Sequence, residues 1–466
     1  MENPFIGVCF AFTAAVAFAA PPKYVFLYIG DGMSTPQRMV AEEFARNANH
    51  GELAMNMLPY HATTRTRSLT SLITDSAAAA TAIACGSKTY NGALGVDGDN
   101  NRIESVAEVA HRNGQKVGIV TTVTICHATP AGFYAHRKNR GLYYQIGLDL
   151  IASGFEYFAG GGLDGAFDKK KDPEYRGNVY ELAAQAGYKM VWDKPGFTAL
   201  KPGDGKVWVH CCEGELPYDI DTDFSVYPSL AELTQKGIEL LDNPNGFFMM
   251  IEGGTLDHSG HSNDAAANLR DVLALDKAVQ VGLAFAKAHA DETLLIVTGD
   301  HETGGMAMGF AGTGYAFHMD RLVHQKCSSD EFARILRKAK KEKPDFSFED
   351  AKPLLTKYFG FVFEAKEGGT DDKAAGEKFA KANAGTKGNP MLLRPNEIEQ
   401  LKAGFNKGSL HHAARKLISD KSGVGWSSGS HTALPVLTTS TGKYADRFIG
   451  MYENTEIANR IKQLYQ

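Results

Sequence analysis

The chain of 466 residues sets 49 Lys and Arg against 54 Asp and Glu, a formal charge of −5 at pH 7, with 43% hydrophobic residues. That length exceeds one minimal core, and a mean hydropathy of −0.25 with a pI near 6.3 fits one large globular domain with insertions. A disordered chain, a membrane bundle and a basic nucleic-acid binder are excluded on these grounds, since no Lys/Arg stripe supplies a positive field.

In chain order, residues 6–20 are apolar but too few to span a bilayer, and they end in Ala17-Phe18-Ala19, a small-residue cleavage pattern. This predicts a signal peptide over residues 1–19 and an exported protein, periplasmic or secreted. The stretch before it holds Glu2 and no Lys or Arg, so an uncleaved anchor or a plain tail is the alternative. The apolar run 24–29 predicts a strand ending in Gly30-Asp31-Gly32, and the alanine-rich run after Ser76 predicts a helix. Further strands are predicted at 116–122, 157–159, 207–210, 247–251 and 293–298, alternating with helices at 103–112, 143–152, 179–186, 230–241 and 268–289. That rhythm predicts an α/β protein with a central, mostly parallel sheet and helices on both faces. From about residue 310 to 425 the composition turns to Lys-rich helical pieces at 329–342, 348–358 and 394–405. We read 310–425 as a largely helical, cap-like insertion into a core of 20–309 and 426–466, closed by a helix at 455–465. No second segment approaches a transmembrane span.

Without Cys9 the cysteines are Cys85, Cys126, Cys211, Cys212 and Cys327, an odd number with no CxxC pair. Buried thiols are expected rather than a disulfide framework, although the adjacent Cys211 and Cys212 could be oxidised in a periplasm. The pair His411-His412 within the insertion is a weak metal candidate, because neighbouring helical side chains diverge.

Chemistry concentrates at strand ends. Three predicted strands run into Asp31, into Glu252 through Asp257-His258-Ser259-Gly260-His261, and into Asp300-His301. In an open α/β sheet, ligands gather beyond the C-terminal strand ends. Asp31, Asp300 and His301, with the hydroxyl of Ser76, suit one zinc; Asp257 and His261, joined by His431, suit a second. Asp31, Thr129 and Glu252 form an oxygen-only set that suits magnesium better. Ser76 before an alanine-rich helix is either an N-cap or a nucleophile in the helix's N-terminal field. Arg140, in a polar stretch with Arg137 and Lys138, is either solvated surface or a fork for two phosphate oxygens.

The segments Tyr28-Ile29-Gly30-Asp31-Gly32-Met33, Thr74-Asp75-Ser76-Ala77-Ala78-Ala79, His127-Ala128-Thr129-Pro130-Ala131, Ile251-Glu252-Gly253-Gly254, Asp257 to His261, Thr298-Gly299-Asp300-His301-Glu302 and Gly429-Ser430-His431-Thr432 together resemble the alkaline phosphatase family. The resemblance runs in the family's order over about residues 24–309 and 426–466. It implies hydrolysis of phosphate monoesters to an alcohol and phosphate through a phosphoserine on Ser76, with two zinc ions, one magnesium ion and an alkaline optimum. By resemblance, Asp257, His261 and His431 hold the first zinc, Asp31, Ser76, Asp300 and His301 the second, and Asp31, Thr129 and Glu252 the magnesium. Arg140 binds phosphate, Asp75 orients it, His258 touches phosphate through water, and His127 stands behind the metal ligands. A homodimer is the family expectation, and neither nucleic acid nor a membrane is an expected partner.

Rival readings remain within and beyond the superfamily. A sulfatase needs a C/S-x-P-x-R context, whereas alanines follow Ser76; a phosphodiesterase or mutase lacks the Thr129/Glu252 site. An inert phosphate-binding protein would not need the intact Ser76.

Overall fold

The computed structural model describes residues 20–48, 51–167, 173–364 and 389–466. Within them the first eight strands are β1 (Tyr24–Gly30), β2 (Tyr60–Arg65), β3 (Lys116–Thr124), β4 (Tyr157–Gly161), β5 (Tyr188–Val191), β6 (Lys206–His210), β7 (Phe247–Gly253) and β8 (Thr293–Gly299). Six shorter or later ones follow: β9 (Glu302–Thr303), β10 (Met306–Met308), β11 (Val424–Trp426), β12 (His431–Thr432), β13 (Val436–Gly442) and β14 (Gly450–Glu453). Ten form one sheet in the order β14-β2-β13-β8-β1-β7-β3-β4-β6-β5. Only β13 runs against its neighbours, antiparallel to both β2 and β8.

Alternation along the central strands separates two apolar layers, because successive side chains of a strand face opposite ways. Tyr24, Phe26 and Tyr28 of β1 pack with Phe247 and Met249 of β7 and Leu295 and Val297 of β8. Val25, Leu27 and Ile29 pack on the other face with Phe248, Met250, Leu294 and Ile296. Helices Thr35–Asn47, Leu230–Leu241 and Ala265–Ala288 cover the first face. Helices Ser76–Cys85, Val106–Arg112, Tyr143–Ser153 and Thr455–Gln463 cover the second. The sheet is thus buried on both sides, as parallel sheets require.

The six predicted strands are all present, each extended by one or two residues. The helix expected from residue 103 starts at Val106, because Ser105 and Glu108 close a capping box there. The helix expected from 268 starts at Ala265, where the Asp264 carboxylate caps the Ala267 N–H. Helices Thr35–Asn47 and Leu410–Ser422 and strands β2, β5, β13 and β14 were not anticipated. β13 lacks an apolar period, yet Thr438, Thr439 and Ser440 are buried. Their hydroxyls are satisfied by Thr64 and Thr298, by the Met55 carbonyl and by the Ala445 carbonyl. A polar strand can therefore sit inside the sheet at no desolvation loss.

Residues 310–425 include helices Ser329–Glu342, Phe348–Phe359, Pro395–Asn406 and Leu410–Ser422. The predicted signal peptide, 1–19, lies outside the described residues. Among the described residues no helix is long and apolar enough to cross a membrane. Cys85, Cys126 and Cys327 are buried free thiols and Cys211 and Cys212 are half-buried free thiols. The His411 and His412 rings lie 4.0 Å apart rather than diverging, but no group of metal-ligand side chains among the described residues includes them.

Candidate active site and metal-ligand clusters

Register brings the acidic strand ends into one row. Gly30 of β1 pairs with Gly253 of β7 on one side and Gly299 of β8 on the other, so Asp31 and Asp300 leave the sheet together. Gly32 turns the chain immediately afterwards at φ +72°, and a Cβ there would lie 2.7 Å from Thr303 Oγ1 and 3.0 Å from Asp257 Oδ1. Only glycine satisfies both the left-handed backbone and the close approach.

Ser76 occupies the first position of helix Ser76–Cys85 and is 2% exposed. The cap of that helix is Asp75, whose Oδ1 accepts the Ala78 N–H at 3.0 Å. Ser76 is therefore not needed as a cap, and its Oγ lies 3.2 Å from His301 Nε2. Asp75 Oδ2 accepts the Gly92 N–H at 3.0 Å and Arg140 Nη1 at 3.2 Å. One carboxylate thus fixes both the serine's helix and the guanidinium. Arg140 Nη2 donates to His127 Nε2 at 3.0 Å.

Asp31, Asp300 and His301 form a fully buried cluster, with His301 Nε2 at 3.3 Å from both Asp31 Oδ1 and Asp300 Oδ2. Neither of those oxygens has a hydrogen-bond partner. Asp257, His261 and His431 form a second cluster, with the two Nε2 atoms 3.1 Å apart and 3.3 and 3.5 Å from the Asp257 carboxylate oxygens. The Nδ1–H of His261 donates to the Gly429 carbonyl and that of His431 to the Thr74 carbonyl, each at 2.8 Å. Held this way, the two Nε2 atoms face each other and a carboxylate, an arrangement that a cation between them would make favourable. Asp31, His127 and Glu252 form a third. Thr129 Oγ1 donates to Asp31 Oδ2 at 3.2 Å and Thr121 Oγ1 to Glu252 Oε2 at 2.5 Å, while Glu252 Oε1 and His127 Nδ1 are buried without hydrogen-bond partners.

The late segment is held at the site by a two-residue ladder. β12 pairs antiparallel with β9, setting His431 opposite Thr303 and Thr432 opposite Glu302. The His431 and His301 rings then stack with centroids 3.6 Å apart. Buried Glu302 ties the corner together, accepting from Gln37, from the Gly305 and Met306 N–H groups and from Thr432.

Burial comes first among the causes that push Asp31 and Asp300 well above the usual carboxylate range, followed for Asp31 by the charge of Asp300. Burial also pushes Glu252 up to about 7. Asp257 experiences the same burial, but His261, His301 and His431 outweigh it and hold it below the ordinary value. The Asp257 carboxylate raises His261 to about 9, whereas burial and then Arg140 lower His127 to about 3. His258 is raised by its 2.8 Å contact with Glu215, which outweighs burial.

Every residue predicted for the site therefore lies in or beside these clusters. His127, expected behind the ligands, is itself a member of the third cluster. Sequence reading missed Thr303, Glu302, Thr121 and Glu215. Thr303 and Glu302 follow His301 immediately, which was the available signal; nothing in the sequence marked Thr121 or Glu215. Thr303 joins two clusters: its hydroxyl donates to Asp257 Oδ1 at 2.5 Å and accepts the His301 Nδ1–H at 3.2 Å. Thr303→Val keeps the shape and removes both bonds. Chelator competition is expected to show zinc affinity lowered by about 10- to 100-fold; unchanged affinity would refute the bridging role.

A doubly covered α/β sheet, with three groups of carboxylates and imidazoles at its strand ends that could ligate metal, defines an enzyme fold of the open-sheet class. The chain belongs to the alkaline phosphatase family, whose model matches residues 22–466. It is similar to alkaline phosphatase of Schizosaccharomyces pombe, 33% identical over 305 residues, a match spanning 62% of this chain and 57% of that protein. It is similar to alkaline phosphatase 3 of Bacillus subtilis, 32% identical, over 84% of this chain and 77% of that one. Among solved structures, the cold-active alkaline phosphatase of Shewanella sp. superposes with a TM-score of 0.79 at 26% identity, covering 95% of this chain and 100% of that one. A TAB5 alkaline phosphatase variant with one histidine changed to glutamate, recorded with Mg in its M3 site, gives 0.65 at 25% identity over 96% and 98%.

Proposed function

We propose that this chain hydrolyses phosphate monoesters through a phosphoserine on Ser76, with two zinc ions and one magnesium ion, at alkaline pH. The observation that carries the reading is the Ser76 Oγ, 3.2 Å from His301 Nε2 beside the partnerless Asp31 Oδ1 and Asp300 Oδ2. Converging acceptors with no donor between them fit a cation. Mixed carboxylate and imidazole donors of Asp31, Asp300 and His301, and of Asp257, His261 and His431, suit zinc. Asp31, Thr129 and Glu252 offer oxygen alone, which suits magnesium, with His127 beside them. When bound, such ions lower the proton affinity of hydroxyls and water and neutralise developing charge on oxygen.

The chain's own residues supply the rest. Ser76 Oγ, its proton given up to solvent, attacks phosphorus, so an Oγ–P bond forms as the ester P–O bond breaks and the alcohol leaves with a proton from solvent. Arg140, aimed by Asp75, presents two N–H groups to the equatorial oxygens, and the N-terminus of helix Ser76–Cys85 favours their charge. His258, held by Glu215, adds a donor that reaches phosphate through water. Water then cleaves the Oγ–P bond from the vacated side and restores the Ser76 hydroxyl. Easier deprotonation of serine and water as pH rises gives the alkaline optimum.

Export with residues 1–19 removed, a periplasmic or secreted location, a homodimer, and 310–425 as a cap-like helical insertion on the 20–309 and 426–466 core complete the proposal. The test is release of p-nitrophenol from p-nitrophenyl phosphate by metal-loaded protein, abolished by EDTA and restored by zinc and magnesium. Absence of release by the loaded protein would favour an inert phosphate binder.

A further inference from the structure

Residues 427–435 carry His431 to the site, and none of them is buried. The segment gains little from apolar burial at the place where it must be held, so its position rests on polar contacts. The Gly304 N–H donates to the Ser430 carbonyl, and the Ser428 N–H donates back to the Gly304 carbonyl, each at 3.0 Å. Ser34 Oγ, ahead of helix Thr35–Asn47, donates to the Pro435 carbonyl at 2.8 Å. Between these two anchors the Thr432 hydroxyl donates to Glu302 Oε2.

Glu302 is fixed independently of that segment. It is fully buried, and Oε1 accepts Gln37 Nε2 at 2.6 Å and the Met306 N–H at 3.1 Å, while Oε2 accepts the Gly305 N–H at 3.0 Å beside the Thr432 hydroxyl. The Gln37 amide is itself held, accepting the Ser34 N–H at 3.0 Å and donating to the Thr303 carbonyl at 3.1 Å. Three of the four donors on the carboxylate thus lie outside residues 427–435. A hydroxyl bonded to a carboxylate is held more firmly than one bonded to a neutral oxygen, so Glu302 sets where Thr432 sits.

Two ligand candidates follow Thr432. His431 precedes it, with Nε2 at 3.5 Å from Asp257 Oδ1 and 3.1 Å from His261 Nε2. The Gly429 carbonyl of the same segment takes the His261 ring N–H at 2.8 Å. The segment therefore orients two of the three side chains of the Asp257/His261/His431 cluster. Asp31, Asp300 and His301 leave instead from the ends of β1 and β8, inside the ten-stranded sheet.

We propose that Glu302 is a positioning residue: through Thr432 it places His431, so that zinc affinity at the Asp257/His261/His431 cluster depends on its carboxylate while affinity at the Asp31/Asp300/His301 cluster does not. The inference rests on the zinc reading given above. In chelator competition, Thr432→Val is expected to hold one of two zinc ions about 10- to 100-fold more weakly than wild type, with the other within about threefold. Thr432→Ser keeps the hydroxyl and is expected to restore both to within about threefold. Glu302→Gln leaves a single acceptor oxygen in place of two and is expected to behave as Thr432→Val. Hydrogen–deuterium exchange of chelated protein gives a readout free of metal and of turnover: amides of residues 428–433 are expected to exchange about fivefold or more faster in Thr432→Val than in wild type, and those of residues 294–299 at an unchanged rate. On adding zinc, weakened protection of the 428–433 amides assigns the loss to the His431 cluster. Equal weakening of both ions, no weakening of either, a Ser variant as weak as the Val variant, or unaltered exchange overturns the proposal. Wild type that takes up no zinc would instead sink the zinc reading, leaving the metal-free exchange comparison to decide whether Glu302 places His431.

Discussion

Ser76→Ala is expected to lower kcat for p-nitrophenyl phosphate by on the order of 10⁴-fold or more, and to abolish the acid-stable phosphoprotein trapped from wild type. The same substitution is expected to leave the melting temperature within about 1 °C, because the helix is capped by Asp75 and not by Ser76. Loss of a true cap costs about 1 kcal/mol. Asp75→Ala provides the contrast: it removes the acceptor of Ala78 N–H and the anchors of Gly92 and Arg140, so both stability and turnover should fall. Turnover by Ser76→Ala within tenfold of wild type would refute the nucleophile; a large loss of stability with little loss of kcat would return Ser76 to the capping role.

The strand ends were legible because apolar runs flanked by Gly-Asp and Asp-His motifs encode both a buried parallel strand and what it delivers. Their alignment was not. That Gly30, Gly253 and Gly299 fall in one row depends on sheet register, which pattern alone does not specify. The roles of His431 and Glu302 separate similarly. The histidine could be named from its motif, but the pairing of β12 with β9 that sets it against His301 joins residues about 130 positions apart. β13 was missed because its buried Thr and Ser hydroxyls find partners on other elements, a compensation invisible to hydropathy. The ambiguity over Ser76 was settled as to capping by a contact one residue upstream, since Asp and Ser are comparable caps and the sequence offers both.

Removing metal should expose the electrostatic load of the site, and the load has a sign that pH reveals. Asp31 and Asp300 are pushed well above the carboxylate range, first by burial, and Glu252 reaches about 7. A carboxyl with a raised folded pKa favours folding at low pH, and that contribution is lost as pH climbs through the folded value. His261, raised to about 9 by Asp257, acts in the same direction between 6.5 and 9. His127 and His301 are lowered, first by burial, and their contributions change only below the ordinary histidine value. Asp257 is depressed and its contribution is constant over the same alkaline window. From pH 6.5 to 9, then, His261, joined by Glu252 up to about 7, destabilises the chelated protein as pH rises, and the raised Asp31 and Asp300 act in the same direction. Cations bound only to the folded chain each add about 2.7 kcal/mol at a hundredfold excess over Kd. Thermal unfolding is therefore expected to show a gap between loaded and chelated protein of roughly 5–10 °C at pH 9, narrowing toward pH 6.5. Glu252→Gln, which removes one buried charge, should flatten the chelated profile near pH 7. A gap independent of pH, or chelated protein that grows more stable from pH 6.5 to 9, would contradict a cluster of carboxylates held together by cations.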